Sequence, residues 1–183
     1  MVKNNNVIKL AFTGSTKLTL ESMKMIMNLD GYEITGLFGL DDESLLGKVN
    51  SVRMDSFCRQ NNIHLDKGGD WNVFYSFCTE QQIDMIITLG DSRIVPKNIV
   101  NKFEVIGNHG AILPNVQGGA SLVWGRMLAN GRWGVSIMRI AERVDGGEIL
   151  KTKEFHYEPE MTEEEFVATS DKIAIELLIQ VLK

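Results

Sequence analysis

The sequence predicts an α/β protein, a doubly wound, Rossmann-like and mostly parallel sheet with helices on both faces and mixed strands in its C-terminal half. Three observations carry this expectation. Short continuous apolar runs, of the kind buried on both faces of a sheet, alternate with segments of helical spacing. The first run ends in Thr13-Gly14-Ser15-Thr16, a glycine turn opening a helix. After Pro114 the pattern shifts to Gly-rich turns and longer strands.

Taken in order, Val7 to Phe12 reads as a buried strand, and Leu18 to Leu29 as a helix with Leu20, Met23, Ile26 and Met27 on one side, stopped by Asp30-Gly31. Tyr32 to Leu40 is a second strand. Ser44 to Asn61 is expected as one polar helix, with His64 in a polar loop, and Trp71 to Gln82 as an aromatic-rich helix. Asp84 to Leu89 forms a third strand ending at Gly90. Pro96 to Lys102 suits a short helix opened by proline, and Phe103 to Asn108 a fourth strand. Beyond Gln117-Gly118-Gly119-Ala120, a helix through Leu122, Trp124 and Leu128 closes at Asn130-Gly131. Strands at Val135–Ile140 and Glu148–Thr152 flank the turn Asp145-Gly146-Gly147. Thr162-Glu163-Glu164-Glu165 is a capping box, and Phe166, Ile173, Leu177 and Val181 give its helix an apolar face.

Without repeats or a Pro/Ser-rich linker, residues 1–183 are expected to form a single domain. The formal charge is −5 and Lys and Arg are scattered singly, which argues against a nucleic-acid partner. Cys58 and Cys78 sit in apolar contexts and suit free thiols of a reducing cytosol, so a cytoplasmic location is expected. No run approaches the ~20 apolar residues of a membrane span, and Met1 to Asn6 lacks a signal core.

Several chemistries lack their motifs. Neither a complete GxGxxG nor a Walker GxxxxGK[ST] follows the first strand, and no Gly-x-Ser-x-Gly elbow exists. The Cys and His residues lack paired metal-ligand spacing, so no metal is expected. Of the three histidines, His109 stands out: it ends a buried strand at the edge where open α/β sheets bind ligands. Asn108 beside it could supply a neutral oxyanion donor. Asp145 is turn chemistry on its own; near His109, its carboxylate would orient the imidazole.

The run His109-Gly110-Ala111-Ile112-Leu113-Pro114-Asn115-Val116-Gln117-Gly118, followed by Trp124, resembles the signature Asn-x-His-[Pro/Gly]-[Ser/Ala]-Leu-Leu-Pro-x-x-x-Gly of the folate-dependent formyltransferase family. Gly134-Val135-Ser136-Ile137-Met138 through Asp145-Gly146-Gly147-Glu148-Ile149 is similar to the family's second block, and Asp84 to Ile87, Gly90 and Ile94-Val95-Pro96-Lys97 to a third. These ordered blocks span roughly residues 7 to 155 and look most like the methionyl-tRNA and sugar N-formyltransferase branch. One position departs: the family asparagine two residues before the histidine is Gly107 here, and Asn108 could replace it only through a bulge at that glycine.

The resemblance implies the formyltransferase fold and transfer of a formyl group from 10-formyltetrahydrofolate to a primary amine of a small substrate. Asn108, His109 and Asp145 would form the catalytic group. The pterin would bind between Thr88, Leu89, Gly90, Asp91, Ser92, Arg93 and Ile94 on one side and Arg139, Ile140, Ala141, Glu142, Arg143 and Val144 on the other, read by backbone groups. The amine would approach Gly14, Ser15 and Thr16 and Gln117, Gly118 and Gly119. The chain stops at Lys183 without the RNA-binding domain of the tRNA enzymes, which favours a nucleotide-linked amino sugar over tRNA. A catalytically weakened folate-binding module and a 10-formyltetrahydrofolate hydrolase are the alternatives, and homo-oligomerisation is left open.

Overall fold

Apolar runs too continuous for a one-sided strand become the centre of a sheet. The computed structural model describes residues 7–48, 50–128 and 131–183. The chain divides into two compact units, one ending at Val105 and one running from Ile106 to Lys183.

The first unit contains β1 (Ile8–Thr13), α1 (Lys17–Ile26), β2 (Tyr32–Phe38), α2 (Asp42–Leu46), α3 (Asp55–Gln60), β3 (His64–Asp66), α4 (Trp71–Glu80), β4 (Met85–Thr88), α5 (Lys97–Val100) and the start of β5 (Glu104–His109). β1 pairs in parallel with β2 and with β4, and β2 with β3, so that Thr13 stands level with Phe38 and Thr88. Leu10, Ala11, Phe12, Phe38, Ile86 and Ile87 are fully buried, as expected of strands covered on both sides. The sheet order is β3-β2-β1-β4-β5-β6-β7. The chain winds outward from β1 to β3 and then returns to β4. Right-handed crossovers therefore put α1 to α3 on one face and α4 and α5 on the other, and make the β1/β4 edge the topological switch point.

Two expectations in this unit are corrected. The helix expected over 44–61 is two short helices: Asp41 caps α2 through the Ser44 N–H at 2.7 Å, Gly47 ends it, and Asn50 takes a φ of +60° that no helix tolerates. The intervening segment instead pairs with the start of α1, with Lys17 N–H donating to the Asn50 carbonyl at 3.0 Å and Val52 N–H to that of Ser15 at 2.8 Å. His64, expected in a loop, opens β3 and stacks on Phe77 at 4.6 Å. Too short to show alternation, β3 left no periodic signal.

The second unit holds the rest of β5, α6 (Ser121–Leu128), β6 (Arg132–Arg139), β7 (Ile149–His156) and α7 (Glu163–Leu182). β5, β6 and β7 pair antiparallel, and the expected strands at 135–140 and 148–152 are longer than their apolar cores suggested. The predicted helix stop at Asn130 lies outside the described residues. α7 starts with the reciprocal Thr162/Glu165 box and buries Phe166, Ile173, Leu177 and Leu182, with Val181 only half covered. Phe166 meets Phe155 at 5.3 Å and Tyr157 at 5.0 Å. Gly125 of α6 lets Trp133 lie against the helix backbone, since a Cβ there would stand 2.1 Å from the indole.

Gly125→Ala is expected to lower unfolding free energy by about 1–3 kcal/mol, the usual cost of overpacking, in a urea titration. Burial pushes the Cys58 thiol up to about 11 and the Cys78 thiol to about 12. At pH 8 the thiolate fraction of Cys58 is then roughly one in a thousand. Both thiols are expected to react with iodoacetamide far more slowly in native protein than in urea-unfolded chain.

Candidate active site

His109 is the last residue of β5, opposite Ser136 of β6. The chain then turns through a loop fastened to β6 by buried polar groups. Ser136 Oγ donates to the Ala111 carbonyl at 2.7 Å and accepts the Leu113 N–H at 3.0 Å, while Trp133 Nε1 donates to the Gly110 carbonyl at 2.6 Å. Gly110 is required here, because a Cβ would stand 2.8 Å from Leu122 Cγ. The loop returns so that the Val116 carbonyl lies 3.0 Å from His109 Nε2.

The β6–β7 connector supplies the carboxylate. Arg139 N–H donates to the Glu148 carbonyl at 2.9 Å and their side chains pair, closing the connector at its base. A Cβ on Gly147 would overlap the Arg139 carbonyl at 1.8 Å, so only glycine permits this closure. Asp145 sits at φ +52°, a left-handed conformation that Asp tolerates better than most side chains. Its Oδ1 lies 3.5 Å from His109 Nδ1, and its Oδ2 accepts the Gly118 N–H at 2.7 Å. Gln117 Nε2 donates to the Asp145 carbonyl at 3.2 Å. The imidazole is thus flanked by an acceptor at each ring nitrogen and is nine-tenths buried. The carboxylate joins it to the exposed Gln117–Gly119 loop.

Asn108 is placed differently. Gly107, Asn108 and His109 face Met138, Ile137 and Ser136 in unbroken register, so the bulge that would turn Asn108 toward His109 is absent. On a regular strand neighbouring side chains leave opposite faces, which separates the half-buried Asn108 from the His109–Asp145 pair.

In the first unit, the groups of the β1–α1 turn are largely committed inside the chain. Ser15 Oγ accepts the Leu40 N–H at 2.8 Å, and Thr16 Oγ1 caps α1 through the Thr19 N–H at 3.3 Å. The N–H groups of Gly14, Thr16 and Lys17 donate to Phe38 O, Thr19 Oγ1 and Asn50 O. These donors of the turn, where the amine was expected to approach Gly14, Ser15 and Thr16, serve the fold. The loop after β4 adjoins this turn. Thr19 Oγ1 donates to the Leu89 carbonyl at 2.8 Å, and a Cβ on Gly90 would stand 2.1 Å from Thr16 Oγ1.

Thr88 and Leu89 are buried, whereas Ser92 and Ile94 are exposed. The side chains of Asp91 and Arg93 pair with each other. In the second unit, Arg139 pairs with Glu148, Ile140 and Ala141 are half-buried, and Glu142, Arg143 and Val144 are exposed. Ile94 at 73% and Val144 at 59% exposure are large apolar side chains left uncovered in the loops expected to meet the pterin. Ser136, Trp133 and the Val116 carbonyl were missed as site components; Ser136 and Val116 stand within the family-like runs and Trp133 just outside them. Among the described residues no His, Cys, Asp and Glu cluster could hold a metal, and no helix is long and apolar enough to cross a membrane.

Comparison with known proteins gives the family and its fold. The formyl transferase family pattern matches residues 72–182. Methionyl-tRNA formyltransferase of Mycoplasma mycoides is 23% identical over 147 residues, covering 78% of this chain and 46% of that protein. The Fusobacterium nucleatum enzyme of the same name is 24% identical, covering 91% and 54%. The chain spans about half the length of the curated relatives it matches. Among solved structures, glycinamide ribonucleotide transformylase 1 of Geobacillus kaustophilus superposes with TM-score 0.80 at 15% identity, covering 96% of this chain and 97% of that one. A formyltetrahydrofolate deformylase of Pseudomonas syringae gives 0.80 at 14% identity, covering 96% and 60%.

Ser136→Ala leaves the Leu113 N–H buried without its acceptor and is expected to cost about 1–3 kcal/mol of stability in chemical denaturation. Ser136→Thr, which keeps the hydroxyl, is expected to recover most of that loss.

Proposed function

The chain belongs to the formyl transferase family, and from that premise we propose that it transfers a formyl group from 10-formyltetrahydrofolate to a primary amine of a small substrate. The observation that carries the reading is the convergence of His109, Asp145 and the Gly118 amide at the end of β5. The folate supplies an activated formyl carbon, and attack by an amine there builds negative charge on the formyl oxygen. With Nδ1 kept on Asp145, His109 Nε2 exchanges the Val116 carbonyl for that oxygen and donates a hydrogen bond to it, the role in which a single placed donor contributes about 3 kcal/mol. Asp145 orients the ring and accepts the proton leaving the amine, directly or through water; collapse of the intermediate breaks the bond from the formyl carbon to the folate nitrogen, that nitrogen takes up a proton, and tetrahydrofolate leaves with the formyl group on the amine. In the first unit the loop at 88–94 offers backbone groups and the uncovered Ile94 to a pterin; in the second unit the loop at 139–144 offers its own backbone groups and the uncovered Val144.

The acceptor enters beside the exposed Gln117–Gly119 loop, and a nucleotide-linked amino sugar is the acceptor proposed for the 1–183 catalytic domain, acting in the cytoplasm. Gly107 and the regular ladder at Asn108 favour a second reading, a folate-binding module of weakened turnover, because one oxyanion donor is missing.

Steady-state assays with 10-formyltetrahydrofolate and a panel of amino sugars and aminoacyl compounds test this. The expected result is amine-dependent tetrahydrofolate formation that falls roughly 10²–10³-fold in His109→Ala and substantially in Asp145→Asn. Formate release independent of amine would replace it with hydrolysis. Folate binding without turnover, together with a gain of rate in the Gly107→Asn/Asn108→Val variant, would establish the weakened module.

A further inference from the structure

The carbonyl of Phe38, closing β2, accepts two donors, the Gly14 N–H at 3.1 Å and Arg93 Nη2 at 2.7 Å. Behind the second donor the whole Arg93 head group is engaged. Nη1 donates to the Gly39 carbonyl at 3.3 Å; Nε reaches both Asp91 oxygens at 3.1 Å; Nη2 adds a bond to Asp91 Oδ2 at 2.8 Å. Asp91 Oδ1 also accepts the Arg93 N–H at 3.0 Å, folding the loop back on itself. The guanidinium lies 4.3 Å from the Phe38 ring centroid and 5.2 Å from that of Trp71, and those two rings meet edge to face at 4.8 Å. The Asp91 side chain is 1% exposed and that of Arg93 18%.

A buried ion pair in a loop is a poor way to gain stability, because desolvation offsets its attraction. What this one delivers is shape. Thr19 holds the Leu89 carbonyl, the pair fixes positions 91 and 93, and Val95 is buried, so Ser92 and Ile94 are left facing outward on a pinned backbone. A loop held by its own side chains loses little freedom when it meets a ligand. The geometry points to Arg93 as a positioning residue that sets the shape of the folate-reading loop, with Phe38, Trp71 and Asp91 as its clamp. This rests on the folate reading above. The guanidinium fork and its flat faces are both used, so lysine cannot substitute.

The test compares wild type with Arg93→Lys and Arg93→Met by steady-state kinetics, tetrahydrofolate binding by calorimetry, and amide hydrogen exchange. Both variants are expected to raise KM for 10-formyltetrahydrofolate and Kd for tetrahydrofolate by roughly tenfold or more, with kcat and the amine KM within about threefold of wild type. Exchange at 89–94 should accelerate while β1 and β4 amides stay protected, which also shows that the variants fold. Unchanged folate KM and Kd would overturn the proposal, as would a fall in kcat alone or unaltered exchange in the loop. If wild type binds no tetrahydrofolate, the folate reading fails and this role with it. Exchange confined to the loop would then show that Arg93 still pins the backbone.

Discussion

A carboxylate with two oxygens can serve two partners only if the backbone aims it, and the second unit is arranged around that requirement. Asp145 turns one oxygen toward His109 and the other onto the Gly118 amide. For this it must project from a tight connector, in a left-handed backbone conformation, over the end of β5. The closure of that connector depends on Gly147 meeting the Arg139 carbonyl, and the loop carrying Gly118 depends on Ser136 and Trp133. Removing any of these leaves the residues present but not aimed.

The same economy governs the first unit. Strand ends at a switch point expose carbonyls and amides that have run out of ladder partners, and ligands usually exploit them. Here the chain uses many of them itself: Phe38 O takes Gly14 N–H and Arg93, Asn50 O takes Lys17 N–H, and Ser15 Oγ takes Leu40 N–H. The α1 N-terminus, which in isolation would attract an anion, is thereby largely satisfied from within.

Much of this was legible in the sequence because it depends on period and punctuation. Continuous apolar runs gave the central strands; Thr162 and Glu165 gave the start of α7; Asp145-Gly146-Gly147 gave the connector. His109 could be singled out because it ends such a run at the edge where open α/β sheets bind ligands. What stayed hidden was non-local. A three-residue strand such as β3 has no period, and the break at Asn50 follows from the pairing of 50–52 with α1. The commitment of Ser15 and Arg93 to backbone groups far along the chain leaves no local trace. Whether Gly107 would bulge was likewise undecided until the ladder with β6 showed unbroken register.

The β6–β7 connector joins a sterically closed base to an exposed crest. At its base Gly147 admits almost no replacement, while the side chains of Glu142, Arg143 and Val144 are exposed. Substitutions accumulating on the crest leave the aim of Asp145 untouched. Descendants of this chain can therefore vary three consecutive side chains while inheriting one unaltered placement of Asp145 against His109.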